Sequence, residues 1–118
     1  MHMTPFSFAR SCAMMLTLAL AASPSSAAIT GNDWLRMYKE DSSAGSAYVM
    51  GALDSLQITL IALQARNQTM KICLPAQGTT YSQFVDIMRV WIEKNPGRRH
   101  EMAAALFTIA VADSFPCK

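Results

Sequence analysis

Val49, Leu53, Leu56, Leu60 and Leu63 step through the sequence by four, three, four and three residues. That rhythm is the period of an α-helix and lines five branched apolar side chains along one stripe. A chain carrying such a stripe must cover it with other elements. The apolar spacing stays helical along the rest of the chain, so the expected cover is more helix. The run reads as one helix from about Ala47 to Ala65. Beside the stripe lie Tyr48, Ala52, Ser55, Thr59 and Ala62, with Gly51 adjoining. This mostly small side suits close approach of another helix or self-association. Asp54 and Gln57 interrupt the apolar run and argue against a membrane span.

Three further helices are expected. Asn32 is placed to cap a first helix over Asp33–Glu40, with Trp34, Leu35 and Tyr38 on one side. Asp41 to Ser46 reads as a polar break. Asn67 to Thr80 reads as a connection, extended over Met70–Pro75 because the residue before proline avoids the α region. Thr80 and Gln83 match a capping box that opens a third helix. Phe84, Ile87, Met88, Trp91 and Ile92 point inward there, and Arg89 and Glu93 can pair on the outside. Asn95 and Pro96 stop that helix and start a fourth. Its buried stripe is expected at Met102, Leu106 and Ile109, flanked by Ala103, Phe107 and Ala110. The expected fold is all-α, a compact bundle of about four helices.

The N-terminus carries a different message. Arg10 is followed by about eleven mostly apolar residues, Cys12 to Ala22, too few to cross a bilayer. Ser23 to Ala28 then supplies a break and small residues. Basic, apolar, small is the order of a secretory signal peptide. The expected organisation is a signal over residues 1–28 and one exported helical domain over 29–118. Cys12 would leave with the signal. Cys73 and Cys117 remain, an even pair in an oxidising compartment, read as a disulfide or else as two buried thiols. A bridge over about 43 residues would stabilise so small a domain by roughly 4 kcal/mol on the loop-entropy account.

Catalytic signals are weak. His100 is the only histidine past the signal. A Cys–His nucleophile would need a free thiolate at Cys73 or Cys117, which export disfavours. No close ligand spacing supports zinc at these residues. Met37, Met50, Met70, Met88 and Met102 stand singly, as core fillers do, not as paired thioether ligands of copper. There is no phosphate-cradling glycine loop. A formal charge of +2, part of it from Arg10, is no nucleic-acid footprint. Arg98-Arg99-His100 is a short basic cluster at an expected helix N-terminus, which suggests a partner carboxylate inside or outside the chain. The residues describe a binder with no cofactor and no metal.

The order of motifs resembles the Rap/Tai-type immunity proteins of the type VI secretion system. The resemblance is carried by Ala47-Tyr48-Val49-Met50-Gly51-Ala52, by Cys73-Leu74-Pro75, and by Gly78-Thr79 leading to Gln83 and Val85. It continues through Trp91-Ile92-Glu93-Lys94-Asn95-Pro96, Arg99-His100, Ala103-Ala104 and Phe115-Pro116-Cys117. It implies a small periplasmic all-helical protein, with no activity of its own, that binds a secreted cell-wall amidase and occludes its active site. It also implies homodimers. Two further cysteines common in the family are missing here together, where the sequence reads Trp34 to Tyr38 and Ser46-Ala47. Cys73–Cys117 is then the sole expected disulfide. Tyr48, Gly51, Pro75, Gln83, Pro96, Phe115 and Pro116 are expected to be scaffold. Partner contacts are expected on loops: Ser42 and Ser43 in the first break, or Asn67, Gln68 and Gln77 in the connection. Arg98, Arg99 and His100 form a third candidate group.

Two other roles fit a rigid helical binder. One is a small periplasmic stress chaperone activated by acid, which needs carboxylates whose protonation frees apolar surface. The other is a structural adaptor in an envelope complex.

Overall fold

A computed structural model describes residues 28–118. The expected export signal, apart from Ala28, and Cys12 lie outside the described residues. Helix α1 spans Gly31–Glu40, α2 Ser42–Ala65, α3 Tyr81–Lys94 and α4 Ala103–Ser114. A single 3₁₀ turn, Pro96–Arg98, stands between α3 and α4. Helix α1 packs mainly on α2, α3 mainly on α4, and α2 touches all the others. The core is one cluster, with Trp34, Val49, Met88, Ile92, Leu106, Phe107 and Val111 sealed from solvent. The expected all-α bundle with one disulfide is the fold observed.

Three boundaries differ from expectation, each for a local reason. The cap of α1 is Thr30, not Asn32. The Thr30 hydroxyl accepts from the Asp33 amide at 3.2 Å, and the Asp33 carboxylate accepts from the Thr30 amide at 3.1 Å. This is a capping box with Asp in place of Glu. The next two amides, of Gly31 and Asn32, donate to the carbonyls of Glu101 and Arg99 at 3.0 and 2.9 Å.

That pairing explains the second difference. Helix four begins at Ala103, not Pro96. A helix running through residues 96–103 would consume the carbonyls of Arg99 and Glu101 internally. Here they satisfy the orphan donors of α1 instead. The buried face of α4 is accordingly Ala103, Leu106, Phe107, Ala110 and Val111. Met102 is 51% exposed and Ile109 only half-buried.

The third difference is at Asp41–Ser46, expected as a break and found helical from Ser42. Asp41 alone makes the corner. Its amide closes α1 on the Met37 carbonyl at 2.8 Å, and its carboxylate caps α2 through the Ser43 amide at 2.9 Å. One residue serves as C-cap and N-cap together. The corner holds because Gly45 lets α2 come against α1. A Cβ there would lie 2.7–2.9 Å from Cδ2, Cβ and Cα of Tyr38. The close approach expected at Gly51 is therefore made at Gly45; a Cβ at Gly51 would meet nothing within 4 Å.

Of the five-residue stripe on α2, Val49, Leu53 and Leu56 are buried, while Leu60 and Leu63 are half-buried. The last turns of α2 run past the core. By length and apolarity α2 is the one described helix able to cross a membrane. In this fold its apolar stripe is spent on α1, α3 and α4.

Candidate functional site

The most elaborated surface is the segment 66–80 between α2 and α3. Its start is a helix cap. The Gln68 amide donates to the Leu63 carbonyl at 2.9 Å and the Asn67 amide to the Gln64 carbonyl at 3.0 Å, with Asn67 at φ +54°. This is the Schellman arrangement, in which asparagine stands where glycine is usual. The middle is tied to the C-terminal tail. Ile72 bridges Pro116, the Cys73 amide donates to the Phe115 carbonyl at 2.9 Å, and the Cys73–Cys117 disulfide closes the tie. Phe115 in turn sits on Phe84 of α3, ring centres 5.7 Å apart. The far end is the Thr80–Gln83 capping box, with the Thr80 amide donating to the Gln83 side chain at 2.8 Å. An irregular loop is thus held at its start, middle and end.

The loop lies back along α2 and leaves a groove on each side. One, of about 410 Å³, is lined by Leu53 and Gln57 of α2, Leu74, Pro75 and Thr79 of the loop, and Tyr81 and Phe84 of α3. The other, of about 460 Å³, runs along Leu60 and Gln64 beside Gln68, Met70 and Ile72 to the disulfide. Pro75, Gln77 and Gly78 form the outer bend, and Gly78 takes φ +90°.

The three expected contact groups fall in three places. Asn67, Gln68 and Gln77 are exposed on this loop. Ser42 and Ser43 are exposed in the first turn of α2, not in a loop. Arg98, Arg99 and His100 lie beside the start of α1, while the tethered loop is tied to the far end of α4. That helix has 12 residues, so the two stations are roughly 18 Å apart.

The basic cluster is largely occupied. Arg98 grips Glu101 through Nε and Nη2 at 2.7 and 2.8 Å. Glu101 is the partner carboxylate the sequence suggested, and it comes from inside the chain. Its hydrogen bond from Arg98 holds its carboxyl below the usual range, against some desolvation. Arg98 also sits 5.3 Å over the Trp91 ring, whose Nε1–H donates to Asp113 at 2.8 Å. Arg99 donates to the carbonyls of Ile92 and Glu93, both at 2.9 Å. It serves the C-terminus of α3, where the dipole favours a cation. His100 is exposed in the turn.

The scaffold residues are placed as follows. Tyr48 is half-buried, and that burial raises its phenol pKa, opposed by the Ala104 backbone. Pro96 opens the 3₁₀ turn. Gly51 is exposed. Among the described residues no group of three or more His, Cys, Asp or Glu could hold a metal ion.

Residues 9–117 match the family described as Rap1a immunity proteins. The chain belongs to that family. As a Rap1a immunity protein it has a protein partner, a secreted toxin. No curated protein and no solved structure matches the chain. Within this Rap1a domain, Gln57, Leu74 and Tyr81 as groove walls and Asn67 as a helix cap do not follow from the helical patterning. Only the cap had a local signal, an asparagine just past the last helical residue. The walls come together through the chain reversal.

Proposed function

We propose that this protein is a periplasmic immunity protein against a peptidoglycan amidase delivered by the type VI secretion system. It acts by seating on the toxin and covering the active site, with no catalysis of its own. The observation that carries the reading is the family match over residues 9–117. The tethered loop supports the mode of action. A segment pre-ordered by a cap, a disulfide and a capping box loses little entropy when it enters a cleft. Its outer bend at Pro75–Gly78 is exposed, and both flanking grooves offer apolar walls with polar rims. Exposed loops on a rigid scaffold are where recognition concentrates. Self-association belongs to the same reading, because α2 keeps an apolar outer face.

The test is co-expression with type VI-delivered Cys–His peptidoglycan amidases, each directed to the periplasm. Export of this protein is expected to rescue cells from periplasmic amidase and to yield a complex with no amidase turnover. Gln77→Glu with Gln68→Glu, both exposed on the loop, should weaken that complex and leave the fold intact. Full lysis, with no complex, would reject the amidase reading.

A further inference from the structure

The Cys73–Cys117 disulfide faces solvent. Both cysteines are exposed, and both stand on the wall of the groove of about 460 Å³ beside α2. No helix has to move for a small thiol to reach either sulfur. Lys71 precedes Cys73 by two residues and Lys118 directly follows Cys117, while no aspartate or glutamate occurs from Ser55 to Val85. Cations without competing carboxylates on the loop favour both the attacking and the departing thiolate.

The bridge holds the loop far more than it holds the core. Every core side chain with no exposure, from Trp34 on α1 to Val111 on α4, lies within a helix. From residue 69 to residue 79, by contrast, the backbone is joined to the rest of the chain at one place. The Cys73 amide donates to the Phe115 carbonyl at 2.9 Å, within the Ile72–Pro116 bridge. Ile72 is buried there, and Met70 and Leu74 pack on the edge of the core. The strand that Ile72 meets is only the tail, residues 115–118, past the end of α4 at Ser114. With the sulfurs parted, that tail must hold the loop through one hydrogen bond, against the backbone freedom that residues 69–79 would regain.

We infer that Cys73–Cys117 is a redox latch on loop 66–80: a dithiol opens it, residues 69–79 and 115–118 loosen, and the four helices stay packed. One thiolate of the dithiol attacks a bridge sulfur, forms a mixed disulfide and expels the other cysteine as a thiolate, which takes up a proton. The second thiolate of the dithiol attacks the mixed disulfide and expels the remaining cysteine, which is protonated in turn. Two electrons and two protons pass from the dithiol to the bridge, and the dithiol becomes a disulfide. A disulfide oxidant reverses both steps. Loop order then follows the compartment. A chain held reduced, as in a cytosol, lacks the ordered surface, and one oxidised after export has it. This consequence deepens the proposed function and rests on it, because it takes loop 66–80 as the toxin contact.

The test treats the oxidised protein with dithiothreitol in native buffer and follows it by thiol alkylation and by hydrogen exchange resolved along the chain. The bridge is expected to open faster than the bundle unfolds. The amide at position 73 should then exchange at least about tenfold faster while α3 and α4 keep their protection. Cys73→Ser with Cys117→Ser should show the same pattern without any reductant. Reduction only at the rate of global unfolding, a uniform loss of protection, or an unchanged loop overturns the inference. The amidases that test the proposed function supply the second arm. The reduced chain, freed of the dithiol, should bind at least about tenfold more weakly and recover on reoxidation. Gly45→Ala, which loosens the α1–α2 corner away from the loop, should bind as the native chain does. Equal binding by the oxidised and reduced chains, or an equal loss in Gly45→Ala, overturns the inference and leaves the immunity reading standing. A loop that loosens on reduction while neither state binds an amidase rejects the amidase reading and keeps the latch.

Discussion

Trp34 donates its indole Nε1–H to the carbonyl of Gly45 at 3.1 Å, from a side chain with no solvent exposure. The ring also stacks on Tyr38, centres 5.3 Å apart. Tyr38 is the residue against which Gly45 rests, so one aromatic pair from α1 and one glycine from α2 make the α1–α2 corner. Gly45→Ala would push a methyl into Tyr38, including its backbone Cα at 2.9 Å. It should destabilise by about 1–3 kcal/mol. Gly51→Ala, in open space within the same helix, should instead stabilise by up to about 1 kcal/mol. Urea unfolding of the two variants checks both signs.

Removing the Cys73–Cys117 bridge should cost roughly 4 kcal/mol, because the cross-link no longer restricts the unfolded chain. The double change to alanine and the reduced native chain should agree in urea unfolding. Proteolysis should then begin between residues 66 and 80, where the loop has lost the middle of its three ties.

Arg99→Ala should destabilise by about 1.5–3 kcal/mol, since two α3 carbonyls lose a charged donor. Arg99→Lys should recover only part, because an ammonium cannot span both carbonyls as the guanidinium fork does. His100→Ala, at an exposed turn position, should leave thermal unfolding unchanged. Any loss of toxin binding by His100→Ala would then report contact, not folding.

Two carboxylates link the fold to pH. Hydrogen bonds from the Thr30 side chain and amide, with Arg36 nearby, lower the pKa of Asp33. Arg98 does the same for Glu101. A group whose folded pKa is depressed stabilises above its unfolded pKa, and that contribution vanishes as pH falls through the folded value. Stability should be level from about pH 7 to 5 and decline below about pH 4. Glu101→Gln should flatten part of the decline, read by thermal unfolding across pH. Uncovering of dye-binding apolar surface at acid pH with the helices retained, together with client protection, would favour the chaperone role instead.

Much of this protein is legible in its residues. The period of four and three on α2, the Thr80–Gln83 box and the even pair of cysteines each depend on neighbours close in sequence, or on compartment chemistry, and each appears in the fold. The misplaced boundaries share one trait. Thr30 outcompetes Asn32 as a cap because the amides after it find Arg99 and Glu101. Pro96 fails to open a long helix because those same carbonyls are needed by α1. Neither fact can be read from a window of ten residues.

Local chemistry therefore determined which segments coil, which face of each is apolar, and which two sulfurs are available to join. Tertiary packing decided where the helices begin, that Gly45 and not Gly51 is the close contact, and that Arg98 and Arg99 find their hydrogen-bond partners within the chain. It also decided that the loop 66–80 stands between two grooves and that the outer side of α2 stays bare. The division has one cause. A turn's own hydrogen bonds reach only three or four residues, while orphan donors, charges and apolar faces are satisfied by whatever the folded chain brings beside them.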